Sequence, residues 1–190
     1  FMALIPLLAV AQDENKVLVV GDSLSAAYGL AREQGWVHLL DIHLQSEYPG
    51  WSVVNASISG ETTAGGAARI ERELAAHSPK LVVIELGAND GLRGLPLEQA
   101  RANLEKMVRV SKSAGAGVLL IGMHIPPNYG PDYTQAFHAM FGEVARAHGE
   151  AVLPFLLEPI ATAREAFLPD NLHPTAEAQP KILEHVWPAV

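Results

Sequence analysis

The sequence predicts an α/β fold built on a parallel β-sheet, and three observations support this. Short runs of apolar, largely β-branched residues alternate with longer segments in which apolar residues recur three and four positions apart. The links between these segments are mostly short, and a strand–helix–strand order with short links gives right-handed crossovers and parallel strands. Several of the runs are almost continuously apolar, as expected of strands that are covered on both faces.

Each predicted element follows from its local pattern. The first strand, residues 16–20, is an apolar run that ends abruptly at Gly21, and the third, residues 81–86, is the most strongly apolar. Glycine, proline and serine close the helical segments, as helix ends require. The other predicted strands are residues 52–55, 118–122 and 152–154, and the predicted helices are residues 36–44, 63–77, 97–113, 133–147 and 176–186.

Composition narrows the possible functions. A chain of 190 residues without an obvious linker is long enough for one domain with a sizeable core, which we place at residues 12–190. The net charge of −8 and the lack of a Lys/Arg cluster argue against a nucleic-acid partner. The sequence has no cysteine, which excludes a thiol nucleophile, a disulfide framework and a cysteine-ligated metal.

The first 11 residues form an apolar segment that ends in Ala9-Val10-Ala11. An apolar stretch with an A-x-A end is typical of the back half of a secretory signal peptide. It is far shorter than the ~20 residues of a membrane span. We therefore predict that residues 1–11 are a signal-peptide remnant, that the protein is periplasmic or secreted, and that it has no stable membrane span. The alternative is an ordinary apolar N-terminal arm.

Two motifs follow the first two strands and are expected at the carboxyl edge of the sheet, where ligands of α/β proteins bind. Gly21-Asp22-Ser23 lets the backbone turn sharply and can present Ser23 as a nucleophile. Ser23 could instead cap a helix or belong to a phosphate-binding turn. After the second strand, Gly60 could offer an unhindered backbone N–H to an oxyanion. The segment around it, residues 57–63, also suits a plain strand-to-helix turn.

Two further motifs complete the set. Asn89 follows the third strand and can direct its amide into the site as a neutral hydrogen-bond donor, although Asn-Asp-Gly also forms simple turns. Asp170 and His173 lie three residues apart, so the carboxylate can bond one ring nitrogen and leave the other free as a base. They could also be a surface pair or two metal ligands, but no H-E-x-x-H motif and no cysteine accompany them.

The order Ser, Gly, Asn and Asp-x-x-His resembles the SGNH (also called GDSL) hydrolase superfamily from residue 16 to about residue 188. The blocks Gly-Ala-Asn-Asp at 87–90 and Asp-Asn-Leu-His-Pro-Thr at 170–175 match the superfamily. Three other blocks are similar to a bacterial periplasmic subgroup of multifunctional thioesterases, arylesterases and lysophospholipases. These three blocks are Asp-Ser-Leu-Ser-Ala-Ala-Tyr-Gly at 22–29, Asn-Ala-Ser-Ile-Ser-Gly-Glu-Thr-Thr at 55–63 and Ile-Pro-Pro-Asn-Tyr-Gly at 125–130.

The resemblance implies a flavodoxin-like three-layer α/β/α sandwich with a five-stranded parallel sheet of order 2-1-3-4-5. It also implies a Ser23–His173–Asp170 triad and an oxyanion hole formed by the Ser23 N–H, the Gly60 N–H and the Asn89 side chain. The implied reaction is hydrolysis of a small-molecule acyl ester or thioester. It needs neither a metal nor an organic cofactor, and a monomer is favoured.

An acyl group requires an apolar groove beside the nucleophile. Residues after the third and fourth strands could line it, and His124 in the proline-rich link 124–132 has no assigned role. A carbohydrate O-acetyl esterase is the alternative within the superfamily, and a non-catalytic flavodoxin-like module that binds phosphate or a nucleotide is the alternative outside it. The predicted lining residues are Leu92, Leu95, Ile125, Tyr129 and Tyr133.

Overall fold

A computed structural model describes residues 15–190, in which five strands form one parallel sheet. The predicted leader, residues 1–11, lies outside the described residues. The strands are β1 (Asn15–Gly21), β2 (Trp51–Asn55), β3 (Leu81–Glu85), β4 (Gly117–Ile121) and β5 (Ala151–Leu153). The sheet order is β2-β1-β3-β4-β5, which confirms the expected order.

Helices cover the sheet in two groups, which gives the predicted three-layer arrangement. The helices are α1 (Trp36–Glu47), α2 (Thr63–His77), α3 (Ala88–Leu92), α4 (Leu97–Ser113), α5 (Pro131–His148) and α6 (Gln179–Val186). In one group α1 packs on α6, and in the other α2 packs on α4 and α4 packs on α5.

Several elements differ from the sequence-based expectation. The short helix α3 occupies a segment for which we expected only a turn. Helix α5 begins two residues early because Pro131, whose fixed φ suits the first turn of a helix, stands at its start. The last predicted helix, residues 176–186, opens as the 3-10 turn Ala176–Ala178 before α6.

The hydrophobic core lies on both faces of the central strands. In β1 and β3, Leu18, Val19, Val83 and Ile84 have no exposed surface, as strands covered on both sides require. Helices supply the largest of the fully buried side chains, among them Phe137 of α5. Within residues 15–190, none of the helices combines the length and the apolar character needed to cross a bilayer.

The register brings the chemistry-bearing loops to one edge. Gly21, the last residue of β1, pairs with Glu85, the last residue of β3, and Val19 pairs with Asn55 at the end of β2. The three strands therefore end side by side. Ser23 follows β1 by two residues, and Asn89 follows β3 by four, so both side chains start from the carboxyl edge of the same three-stranded core.

Helix α2 packs closely at Gly66 against the residue that follows β3 and against α4. A Cβ atom built on Gly66 would lie 2.3 Å from Leu86 Cδ1 and 3.0 Å from Met107 Sδ. Both neighbours are buried, so neither can swing into solvent to make room. Glycine at this position thus sets the distance between the helix and the residues that follow β3.

We expect Gly66→Ala to destabilise the protein by about 1–3 kcal/mol, since overpacking outweighs the better helix propensity of alanine. Gly142 in α5 is the matched control, because a Cβ there meets nothing within 4 Å. Gly142→Ala should stabilise by about 0.5–1 kcal/mol. Urea unfolding measures both changes, and equal effects of the two substitutions would contradict the close packing at Gly66.

Candidate active site

Ser23 sits in a tight turn directly after β1. The backbone N–H of Ala26 donates to the Asp22 carbonyl (2.9 Å), the N–H of Tyr28 donates to the Ser23 carbonyl (3.1 Å), and Ala27 takes a φ of 59°. In the described part of the chain, the N–H of Ser23 donates to no protein acceptor. The turn therefore holds the Ser23 side chain and its N–H at the end of β1.

His173 reaches Ser23 from the far end of the sequence. Its Nε2 lies 2.9 Å from Ser23 Oγ, and its Nδ1 lies 2.8 Å from Asp170 Oδ2. The ring of Tyr28 packs over the imidazole, with 4.4 Å between ring centroids and a 39° angle between planes. Three side chains from two distant segments thus form one continuous hydrogen-bonded chain.

Asp170 is held by its own loop. Its Oδ1 accepts the backbone N–H groups of Leu172 (2.9 Å) and His173 (3.0 Å), while Asn171 adopts a φ of 60°. These two backbone hydrogen bonds, followed by the bond from the His173 ring, lower the pKa of Asp170 to about 2. Asp170 is therefore an ionised acceptor, so Nδ1 of His173 carries the proton and Nε2 accepts from the Ser23 hydroxyl.

Asn89 lies in α3, whose position is fixed by its neighbour Asp90. The buried Asp90 carboxylate accepts the backbone N–H (2.8 Å) and the hydroxyl (2.6 Å) of Thr63, which ties α3 to the start of α2. The side-chain amide nitrogen of Asn89 in turn donates to Asp22 Oδ2 (3.1 Å) and to the Glu61 carbonyl (3.0 Å). The amide is thereby anchored to the turns after β1 and β2.

Gly60 lies in the exposed loop after β2, with a φ of +79° that favours glycine. Its carbonyl accepts from Arg93 Nη2 (2.9 Å), and the next residue, Glu61, forms a largely buried ion pair with Arg69 of α2. Within residues 15–190, the Gly60 N–H donates to no protein acceptor. Gly60 does not line the pocket described below, but its loop contacts Asn89 through the Glu61 carbonyl.

A largely apolar pocket of about 150 Å³ opens beside Ser23. A cavity of ~150 Å³ accepts a benzene-sized group, so the pocket suits a short acyl or aryl group. A larger cavity of about 440 Å³ lies beside Val17 and Trp187 and contains none of the site residues. The pocket at Ser23 is lined by Asp22, Ser23, Leu24, Ala88, Asn89, Leu92, Met123, His124, Ile125, Pro126, Leu157, Leu172 and His173.

Two of the five predicted lining residues, Leu92 and Ile125, lie on this pocket. The structure places the other three outside it. Tyr129 donates its hydroxyl to the Leu92 carbonyl (2.7 Å), and Tyr133 donates to the carbonyl of Leu95 (2.8 Å), so both tyrosines brace the loop after α3. The side chain of Leu95 is partly exposed away from the pocket.

His124 lines the pocket and is stacked on His138, with ring centroids 3.7 Å apart, while its edge meets Phe155. Partial burial, and then the neighbouring His138, lower the pKa of His124. The imidazole is therefore neutral at pH 7 and contributes an aromatic wall. This stacking could not be predicted from the sequence, because His124 and His138 belong to different elements.

Two buried carboxyl groups near Ser23 were also missed. Asp22 is 1% exposed and Glu85 is 2% exposed. A lone acidic residue within the apolar run 81–86 was the signal that could have revealed Glu85. Burial raises the pKa of Asp22 to about 6 and raises that of Glu85 well above its usual range, where the nearby Asp22 charge adds to the effect.

These shifts predict a stability that falls with rising pH. A carboxyl group with a raised pKa binds its proton more tightly in the folded state, so its contribution to stability is lost as pH rises from the unfolded to the folded pKa. For Asp22 that window runs from about pH 4 to about pH 6, and ionisation there costs about 3 kcal/mol. The raised pKa of Glu85 extends the loss of folding stability to higher pH.

Urea unfolding of the wild type and of Glu85→Gln at pH 4, 5, 6 and 7 measures this effect. The variant has no proton to lose at position 85, so its stability should fall less with pH. Glu143→Gln, an exposed carboxylate on α5 paired with Arg101, serves as the matched control and should follow the wild type. Parallel pH profiles for the wild type and Glu85→Gln would contradict the raised pKa values.

Comparison with known proteins places the site in context. Residues 19–179 match the GDSL-like lipase/acylhydrolase family. The chain is 50% identical over 174 residues to the esterase TesA of Pseudomonas aeruginosa, covering 92% of this chain and 87% of that protein. It is 39% identical over 184 residues to thioesterase 1/protease 1/lysophospholipase L1 of Escherichia coli K12, covering 97% and 86%.

Solved structures agree with this relationship. The crystal structure of the psychrotrophic esterase EstA from Pseudoalteromonas sp., inhibited by monoethylphosphonate, superposes with a TM-score of 0.88. The two sequences are 40% identical, and the alignment covers 92% of this chain and 96% of that one. The likeness therefore extends over almost the whole of both chains.

Proposed function

The chain belongs to the GDSL-like lipase/acylhydrolase family, and the relatives named above are esterases and thioesterases. We propose that this protein hydrolyses carboxylic esters and thioesters with a Ser23–His173–Asp170 triad. The observation that carries the proposal is the continuous pair of hydrogen bonds, 2.9 Å from Ser23 Oγ to His173 Nε2 and 2.8 Å from His173 Nδ1 to Asp170. A serine, its base and the group that orients the base are in bonding contact before substrate arrives.

Acylation begins when Ser23 Oγ attacks the carbonyl carbon of the ester or thioester. His173 Nε2 takes the hydroxyl proton as the new C–O bond forms, and the carbonyl electrons move to oxygen. Collapse of this tetrahedral intermediate breaks the bond to the leaving alcohol or thiol, which receives the proton from His173. Water then attacks the acyl-Ser23 ester in the same manner and releases the carboxylic acid.

Asp170 supports both steps through His173. Because its pKa is lowered to about 2, it remains an anion throughout the working pH range and stabilises the imidazolium that forms in each transition state. It also holds the proton on Nδ1, which leaves Nε2 available to Ser23. Every proton transfer in this scheme is carried by groups of the protein and by water, and the absence of a cofactor requirement remains a prediction.

The oxyanion hole consists of the Ser23 N–H, the Gly60 N–H and the Asn89 side-chain amide. In the part of the chain that the structure describes, the two backbone N–H groups have no protein acceptor, so both can donate to a developing oxyanion. The two N–H groups of the Asn89 amide donate to Asp22 and to the Glu61 carbonyl in the free site, so one of them must turn from its present acceptor to the oxyanion when the substrate reacts. Donors that are oriented beforehand stabilise charge that develops only in the transition state.

The pocket supports esters with an acyl or aryl group of moderate size as substrates. Its volume of about 150 Å³ exceeds what an acetyl group needs, so the carbohydrate O-acetyl esterase alternative gains no support from it. Acyl-CoA thioesters and lysophospholipids present the same acyl carbonyl, and both are included in the proposal. A periplasmic or secreted location, a monomeric state and the lack of a nucleic-acid partner remain predictions.

Replacement of the nucleophile gives the direct test. Ser23→Ala should reduce hydrolysis of a p-nitrophenyl ester and of an acyl thioester by about 10³-fold or more, leaving only what binding and the oxyanion hole provide. A fluorophosphonate probe should label the wild type at Ser23, as mass spectrometry of the peptide would report, and should not label the variant. Labelling elsewhere, or full activity in Ser23→Ala, would contradict the triad.

The second test concerns Asn89. Asn89→Ala should lower kcat by about 10²–10³-fold with little change in KM, since one oxyanion donor contributes only in the transition state. Gln135→Ala, which removes an exposed amide from α5, is the control and should leave both constants unchanged. If KM rises while kcat is preserved, Asn89 contacts the bound substrate rather than the oxyanion.

A further inference from the structure

Two carboxyl groups beneath the nucleophile take no part in the triad. Asp22 precedes Ser23, and Glu85 ends the neighbouring strand β3, opposite Gly21. Both are almost fully buried, at 1% and 2% exposure. Buried carboxyl groups destabilise a fold unless they are well bonded, so a pair of them at the active-site edge calls for a functional reason.

Glu85 holds the turn that carries the nucleophile. Its Oε2 accepts the hydroxyl of Ser25 (2.7 Å) and the backbone N–H of Asp22 (3.3 Å). A Cβ atom built on Gly21 would lie 2.7 Å from Ser25 Oγ and 2.8 Å from Glu85 Oε2. The contact is therefore packed without spare volume, and the turn cannot shift without breaking it.

Asp22 connects this turn to the oxyanion donor. Its Oδ1 accepts the N–H of Leu24 (3.0 Å), which fixes the carboxylate plane, and its Oδ2 accepts from the Asn89 amide nitrogen (3.1 Å). On its other side the same nitrogen donates to the Glu61 carbonyl (3.0 Å). A planar amide that is bonded in two directions cannot rotate freely about its terminal torsion, which is otherwise broad.

We propose that Asp22 is a positioning residue for the oxyanion donor Asn89, and that Glu85 keeps Asp22 in place through its two hydrogen bonds to the turn. This inference rests on the proposed function, because Asn89 needs positioning only if its amide stabilises an oxyanion. Among the described residues, the Asp22 carboxylate accepts from Leu24 and Asn89 and forms no hydrogen bond with a triad side chain. Its effect reaches the reaction through the orientation of one amide.

The charges around Asp22 agree with this role. The charges of His173 and Asp90 influence the pKa of Asp22, and the charge of Asp22 in turn influences that of Glu85. Burial, and then the Asp22 charge, raise the pKa of Glu85 well above its usual range. The pKa of Asp22 is raised only to about 6, so at pH 7 it is ionised and is the stronger acceptor for the Asn89 amide.

A double-mutant cycle tests the proposal. Asp22→Asn keeps the shape of the side chain but removes the charged acceptor, and it should lower kcat for p-nitrophenyl butanoate about tenfold or more with KM nearly constant. In the Asn89→Ala background the same substitution should lower kcat by less than about threefold, because the group it positions is gone. Glu143→Gln is the control for replacing an acid with an amide and should be silent in both backgrounds.

Additive effects would overturn the proposal, since Asp22 would then act without Asn89, for instance through its charge on His173. A change in KM alone, or an increase in kcat, would overturn it as well. If Asp22→Asn does not fold, Ser25→Ala provides the same cycle, because it loosens Glu85 from the turn and leaves both carboxyl groups in place. Its kcat should fall in the wild-type background and not in Asn89→Ala.

Different experimental results would refute the triad and the positioning role of Asp22. Hydrolysis that survives Ser23→Ala would refute the triad itself. Additivity in an enzyme that does require Ser23 would refute only the positioning role of Asp22 and would leave the triad intact.

Discussion

The parallel register of β1 with β2 and β3 is the constraint on which the site depends. Because Gly21 pairs with Glu85 and Val19 pairs with Asn55, the three strands end together and release their loops on the same side. Ser23, the Gly60 loop and Asn89 then need only a few residues each to meet. A slip of one residue would shift the loop after the slipped strand by about 3.3 Å and would present each face of that strand to the opposite layer of helices, so the core and the site are fixed by the same pairing.

Much of the fold and part of the site could be predicted because they follow from local patterns. The apolar runs gave all five strands, and the three-residue spacing of Asp170 and His173 anticipated their contact. Contacts between distant side chains could not be read in this way. The tyrosines at 129 and 133 were expected in an apolar groove, but the partner of a hydroxyl depends on tertiary structure, and both bond to carbonyls near α3 instead.

The same limit explains the missed helix. The segment Ala-Asn-Asp-Gly-Leu of α3 has weak intrinsic helix propensity and reads as a turn. In the structure Asp90 accepts two hydrogen bonds from Thr63 at the start of α2, and these buried bonds stabilise the helix that local propensity alone would not form. Helix α3 is thus formed by tertiary contacts, and the residue that secures it stands next to Asn89, whose position it determines.

Buried polar groups at this edge bring stability and activity into opposition. Asp22 and Glu85 would be less costly as apolar residues, yet an apolar side chain at position 22 could not accept from the Asn89 amide. A donor left free to rotate would have to be ordered at the moment the oxyanion forms, and that ordering would add to the barrier. In the folded protein the amide is ordered before substrate binds, whereas a mobile amide would have to be ordered in every turnover.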